Sequence, residues 1–119
     1  MFAFLRGIVA RKGPGVLALD VQGVGYEVRV SDAVHRHVRV NGEATLLTYC
    51  HIREDLFQIY GFLHEEEKTL FLMLLEVNGV GPRMALGILS AMSPQDFGRA
   101  VRDSDVAALT RVGLSLIHI

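Results

Sequence analysis

The sequence predicts an α+β chain: a small β-barrel of five strands followed by an all-α segment. Three observations predict it. Over residues 2–62, short runs of alternating apolar residues are separated by the turn clusters Lys12-Gly13-Pro14-Gly15, Gln22-Gly23 and Asn41-Gly42. After Gly61-Phe62 the composition shifts to His64-Glu65-Glu66-Glu67-Lys68, and from there apolar residues recur at helical spacing. Two of the helical runs are joined by Gly79-Val80-Gly81, the stretch on which the functional reading turns.

In chain order, Phe2 to Arg11 alternates loosely and reads as the first strand, Val16 to Val21 as the second. Val24 to Val30 is the third, with apolar residues at 24, 26, 28 and 30. Gly25 within it is expected to mark a bulge or a close backbone approach. Ser31 to Val38 is a short helical or irregular connection with Ser31 as N-cap. His35 and His37, two apart and without a Cys or acidic partner at metal spacing, read as surface residues and not as ligands. Ala44 to Ile52 is the fourth strand and Leu56 to Phe62 the fifth. The lone cysteine, Cys50, excludes an internal disulfide, fits a reducing cytoplasm, and reads as a small buried hydrophobe within its strand. Five short strands of this kind point to a closed or partly open barrel, of which the OB-fold is the commonest nucleic-acid-binding type. Residues 1–62 thus form an OB-like barrel.

The helical domain covers 63–112. Thr69 to Glu76 reads as a helix with Leu70, Phe71, Leu74 and Leu75 as its apolar residues, and His64-Glu65-Glu66-Glu67-Lys68 opens it, with acidic residues in its first turn where the helix dipole favours them. Pro82 to Leu89 is the next helix, with Pro82 at its first position. Ser93 caps a third that begins at Pro94 and has Phe97, Ala100 and Val101 as its apolar stripe. Ser104 to Leu109 makes one more.

Two helices joined by Gly79-Val80-Gly81 form a helix-hairpin-helix. Its turn amides and the N-terminus of the second helix point to a place where an anion can sit. Arg83 stands within reach of a phosphate there. Nothing in this geometry reads a base edge, so the grip is on nucleic acid backbone without regard to sequence. A dinucleotide fingerprint is rejected, because Met84 occupies the third glycine position and a helix precedes the loop. A plain αα-hairpin explains one of the two glycines well and the other less well.

Arg53-Glu54-Asp55 joins the fourth and fifth strands. Adjacent carboxylates at a hairpin tip are ordinarily a solvated turn; beside a bound polyanion they repel it and steer strands apart. The overall charge is −1, with seven Lys/Arg against six Asp/Glu in residues 1–62 and five against seven in 63–119. Neither half is a basic arm, so DNA binding requires positive charge sorted onto one face. The apolar runs are broken by charge and no signal peptide opens the chain, so no membrane association and a cytoplasmic location are expected. No cofactor or metal is implied.

Taken together, Gly23-Val24-Gly25-Tyr26-Glu27-Val28, Arg53-Glu54-Asp55 followed by Tyr60-Gly61-Phe62, and Asn78-Gly79-Val80-Gly81-Pro82 with Ala85 and Ile88-Leu89-Ser90 resemble the RuvA family from Met1 to Val112. The resemblance implies a subunit that binds four-way (Holliday) junction DNA as a homotetramer, with the RuvB motor and RuvC nuclease as partners and no catalytic residues of its own. It further implies that Glu54 and Asp55 form an acidic pin at the junction centre with Arg53 beside it, and that Gly79, Val80, Gly81 and Arg83 make the first hairpin's backbone contact. After Val112 the family pattern, a second hairpin of the form Pro-Gly-Ile-Gly followed by lysines, is replaced by Gly113-Leu114-Ser115-Leu116-Ile117-His118-Ile119. The run Leu114 to Ile119 is what CTG TCT CTT ATA CAC ATC encodes, a transposon end used in sequencing libraries. The 113–119 tail is therefore expected to be adapter read-through on a truncated gene, and resequencing across this point of the locus tests it. Three alternatives stand beside the junction reading. One is a generic OB plus helix-hairpin-helix DNA-binding protein. Another is a helix-hairpin-helix DNA glycosylase using Asp103 or Asp105, though no Lys follows Gly81. The third is a purely structural interaction domain.

Overall fold

The computed structural model describes residues 2–103. The chain divides into two compact units, Met1–Leu63 and His64–Ile119. In the first, β1 (Phe4–Gly13), β2 (Val16–Val21), β3 (Val24–Arg29), β4 (Glu43–Arg53) and β5 (Leu56–Phe62) close into a barrel in the order β1-β2-β3-β5-β4, with α1 (Asp32–His37) between β3 and β4. In the second lie α2 (Glu65–Leu75), α3 (Pro82–Ser90) and α4 (Pro94–Asp103). The predicted helix over 104–109 and the tail at 113–119 lie outside the described residues. Among the described residues no helix is long and apolar enough to cross a membrane.

The strands follow from period-two burial. Along β4, Ala44, Leu46, Thr48 and Cys50 are buried while the residues between them are exposed or half-buried. Val9, Leu17, Leu19, Val28 and Leu46 are sealed from water and make the barrel interior. Each such aliphatic side chain contributes roughly 1.5–3 kcal/mol. The β2–β3 hairpin turns on two residues, Gln22 (φ 50) and Gly23 (φ 91), the pair of positive angles that matches strand twist. The Asp20 carboxylate accepts from the Gly23 N–H at 2.8 Å and braces that turn.

Two expectations are corrected here. Gly25 is neither bulged nor crowded: it pairs regularly with Asp20, and a Cβ there meets nothing within 4 Å. The irregularity lies in β1, between Val9 and Arg11. Close approach occurs instead at Gly61, where a Cβ falls 2.6 Å from Cγ1 of Val28. His35 is not a bare surface residue. It is half-buried, and its Nε2 donates to the Gly13 carbonyl at 2.7 Å. Lys12 Nζ donates to the Val38 carbonyl at 3.0 Å, so residues 12 and 13 at the end of β1 are tied to the last turn and C-cap of the short helix. Ser31 caps α1 as read, its hydroxyl accepting from the Val34 N–H at 3.4 Å, and Val34 and Val38 enter the barrel core.

In the helical unit α2 packs against α3 and α4. α2 buries Leu70, Phe71 and Leu74, with Leu75 half-buried; α3 buries Ala85, Ile88 and Leu89; α4 buries Phe97 and Ala100. The start of α4 is a reciprocal capping box. Asp96 N–H donates to Ser93 Oγ at 3.2 Å, and Ser93 N–H donates to Asp96 Oδ2 at 3.1 Å. The Ser93 N–H, then the Ser93 hydroxyl, hold the Asp96 carboxyl below its ordinary value.

Candidate nucleic-acid interface

The first candidate site is the turn between α2 and α3. α2 unwinds through bonds from Glu76 N–H to Met73 O (3.2 Å) and from Val77 N–H to Leu74 O (3.1 Å), and the Val80 N–H then closes on Val77 O at 3.1 Å. Gly79 has φ +83, a conformation other residues adopt only at a cost. Val80 turns its side chain inward and is buried, which pins the turn from below. Gly81 is the N-cap of α3, with Pro82 at the first helical position. The first backbone bond of α3 runs from Ala85 N–H to Gly81 O at 2.9 Å. The N–H groups of Arg83 and Met84 precede it and have no acceptor inside the helix.

A Cβ added at Gly79 or at Gly81 meets nothing within 4 Å. The space over both glycines is open, so neither is glycine because the protein's own packing demands it. Arg83 is exposed at the same end of α3. The turn therefore offers open space over two glycines at the positive end of a helix whose first N–H groups lack intrahelical acceptors, with an exposed arginine in the first turn of that helix. That combination suits an anionic oxygen and offers nothing that distinguishes bases. Gly79, Val80 and Gly81 thus lie in one turn, and Arg83 follows in the first turn of α3.

The second candidate site is the β4–β5 hairpin. Arg53 pairs with Leu56, leaving Glu54 and Asp55 as the two turn residues, and all four are exposed. Both carboxylates stand at the outermost point of a two-stranded arm. Of the alternatives' catalytic candidates, Asp103 is the last residue of α4, and Asp105 lies outside the described residues.

One group of residues escaped the sequence reading. Alternation predicts that Tyr26, Ile52 and Phe57 point toward the barrel interior, yet Ile52 and Phe57 are 52% and 55% exposed. Phe2 places its ring 5.8 Å from that of Tyr26 and 6.3 Å from that of Phe57, edge to face in both cases. A period-two pattern reports the side of a strand and not whether the barrel still encloses that side.

Residues 1–61 match the family of the RuvA N terminal domain, and residues 71–116 match the SAM-like helix-hairpin-helix tandem. Three relatives are each described as "Holliday junction branch migration complex subunit RuvA". The protein of Thioalkalivibrio sulfidiphilus is 46% identical over 113 residues, covering 94% of this chain and 56% of the relative. Those of Marinomonas sp. and Cellvibrio japonicus are 42% and 43% identical over the same length, covering 94% of this chain and 56% and 55% of the relatives. The chain spans about half the length of the curated relatives it matches. An OB-like closed barrel, a helix-hairpin-helix turn open to solvent, and a family match over the whole N-terminal half agree: the chain belongs to the RuvA family.

Proposed function

We propose that this chain is a junction-binding part of a branch-migration complex, acting in recombination and DNA repair. It grips the phosphates of four-way junction DNA through Gly79, Val80, Gly81 and Arg83. The observation that carries the reading is the open space over Gly79 and Gly81 at the start of α3, where an anionic oxygen can approach the unpaired amides of the first helical turn. In this proposal Glu54 and Asp55 are an acidic pin that discriminates by repulsion. Phosphates close to two exposed carboxylates raise the energy of a wrongly docked duplex, while a junction with an open centre avoids them. Arg53 beside the pin offsets part of that charge. The two units divide the work, the barrel carrying the pin and the helical unit the grip.

The chain performs no chemistry in this reading: it binds and positions DNA. The relatives' description as complex subunits supports partners, here proposed as further copies in a homotetramer, the RuvB motor and the RuvC nuclease. The test is a gel shift at low salt on purified protein, with a four-way junction against linear duplex of the same sequence. Preferential shift of the junction is expected. Equal affinity for the two would favour a generic DNA-binding protein, and no shift of either would favour a structural domain.

A further inference from the structure

The interior sides of three barrel strands, β3, β4 and β5, end in side chains that are exposed to water. On β4 and β5, Cys50 and Ile59 face each other in the core. The next pair toward the tip on that side is Ile52 and Phe57, both more than half exposed. On β3, Val28 is sealed in, and the same side continues through Tyr26, half-buried, to Val24, 54% exposed. β3 runs parallel to β5 with Val28 beside Ile59, so Tyr26 lies at the level of Phe57. Phe2 sits between them and completes a row of three rings. The row is held in place by Thr48, whose hydroxyl donates to the Phe2 carbonyl at 2.6 Å and whose N–H donates to the Ala3 carbonyl at 3.0 Å. Glu54 and Asp55 stand just beyond, at the tip of the same hairpin.

We infer that this aromatic mouth stacks against unpaired nucleobases at the centre of a junction. The inference rests on the junction reading above and adds to it what the pin hairpin touches. Exposed apolar patches mark interaction surfaces, and charge complementarity identifies the ligand here. A phosphate backbone that approaches the mouth meets two carboxylates and is turned away. An unpaired base carries no charge. Its exposed N–H donors suit carboxylate acceptors, and its face stacks on aromatic rings regardless of sequence. Paired duplex hides both the donors and the faces and brings only phosphates. The carboxylates and the rings therefore select one thing together: DNA whose pairing is already open.

The chain contains no tryptophan, so Phe57→Trp introduces a single indole reporter at an exposed position outside the core. The variant is titrated with a four-way junction and with duplex of the same sequence, occupancy being read independently from the anisotropy of labelled DNA. Junction saturation should quench the indole roughly two-fold or more, as stacking on a base does, and duplex saturation should leave it nearly unchanged. In parallel, Phe57→Ala should still bind the junction through the phosphate grip. The parent protein should brighten a 2-aminopurine placed at the crossover, and this variant should not. Junction binding with unchanged indole emission overturns this inference and leaves the phosphate grip standing. Failure to bind either DNA removes both. Indole quenching that tracks protein concentration without DNA, together with a mass increase in sedimentation that Phe57→Ala abolishes, would assign the mouth to a second copy of the chain and overturn the inference.

Discussion

Gly79 and Gly81 differ in what a side chain would cost the protein itself. At Gly79 the positive φ makes any replacement strained, by about 1–2 kcal/mol, before a ligand is considered. At Gly81 the backbone is extended, φ −93 and ψ 176, which valine adopts readily, and the space above is empty. Gly81→Val is therefore the cleaner probe of binding. Its thermal stability should stay within about 0.5 kcal/mol of the parent's. Its junction affinity should fall tenfold or more, a loss of at least about 1.4 kcal/mol. A melting curve and a gel shift on the same preparation check both; unimpaired binding would remove the hairpin from the interface. The pin is tested by Glu54→Gln with Asp55→Asn, which removes charge and nearly keeps shape. Binding to linear duplex should tighten and the junction-to-duplex ratio should shrink. A solvated turn remote from DNA would leave the ratio unchanged, because its field fades within about 8 Å at physiological salt.

Among the elements, the start of α4 makes a stability prediction independent of DNA. Ser93→Ala removes one partner of the capping box and should cost about 1 kcal/mol, measured by denaturant unfolding. The Asp96 side of the box is pH-dependent. Its carboxyl is held below the ordinary value in the folded chain, so the stabilisation is present above the unfolded value of about 3.9 and is lost as pH falls through the folded one. The melting-temperature gap between parent and Asp96→Asn should therefore be constant above about pH 5 and shrink below about pH 4. A gap that stays constant through pH 3 would show that the carboxylate is not what Asn fails to replace. This cap was legible in the sequence, as were β2, β5 and the start of α3, because each is marked by local chemistry: a turn pair, a Gly-bounded apolar run, a proline after glycine. Gly25 and His35 were misread for the opposite reason. Whether a strand glycine is crowded depends on the neighbouring strand, and whether a histidine reaches a carbonyl depends on a residue 22 positions earlier. Local sequence carries neither. The turns that carry the two candidate sites were legible from local signals, the glycine at Gly79 with its positive φ and the two-residue span between β4 and β5, whereas the aromatic mouth needed the barrel's closure before it could be seen.

Over these 119 residues the net charge is −1, so the proposed DNA binding must rely on a few well-placed donors rather than on bulk attraction. Affinity should fall linearly on a log–log plot against salt. The slope should be shallower than that of the Cellvibrio japonicus relative, of which this chain covers 55%. Equal slopes, measured by anisotropy titration, would mean that the rest of the relative adds no phosphate contact. The barrel's closure has a different consequence. Four of its five strand junctions are antiparallel, and the fifth, β3 against β5, is a parallel seam of two residue pairs, Val28 with Ile59 and Arg29 with Tyr60. Gly61 lies at that seam, tight against Val28. Breathing of the barrel should begin there, and seam amides should lose protection in hydrogen exchange before those of β1 and β2. An opened seam is a sheet with two bare edges, each able to recruit a strand from another molecule. Slow self-association on storage, accelerated by any side chain wedged in at position 61, is thus the failure mode written into this barrel's strand order.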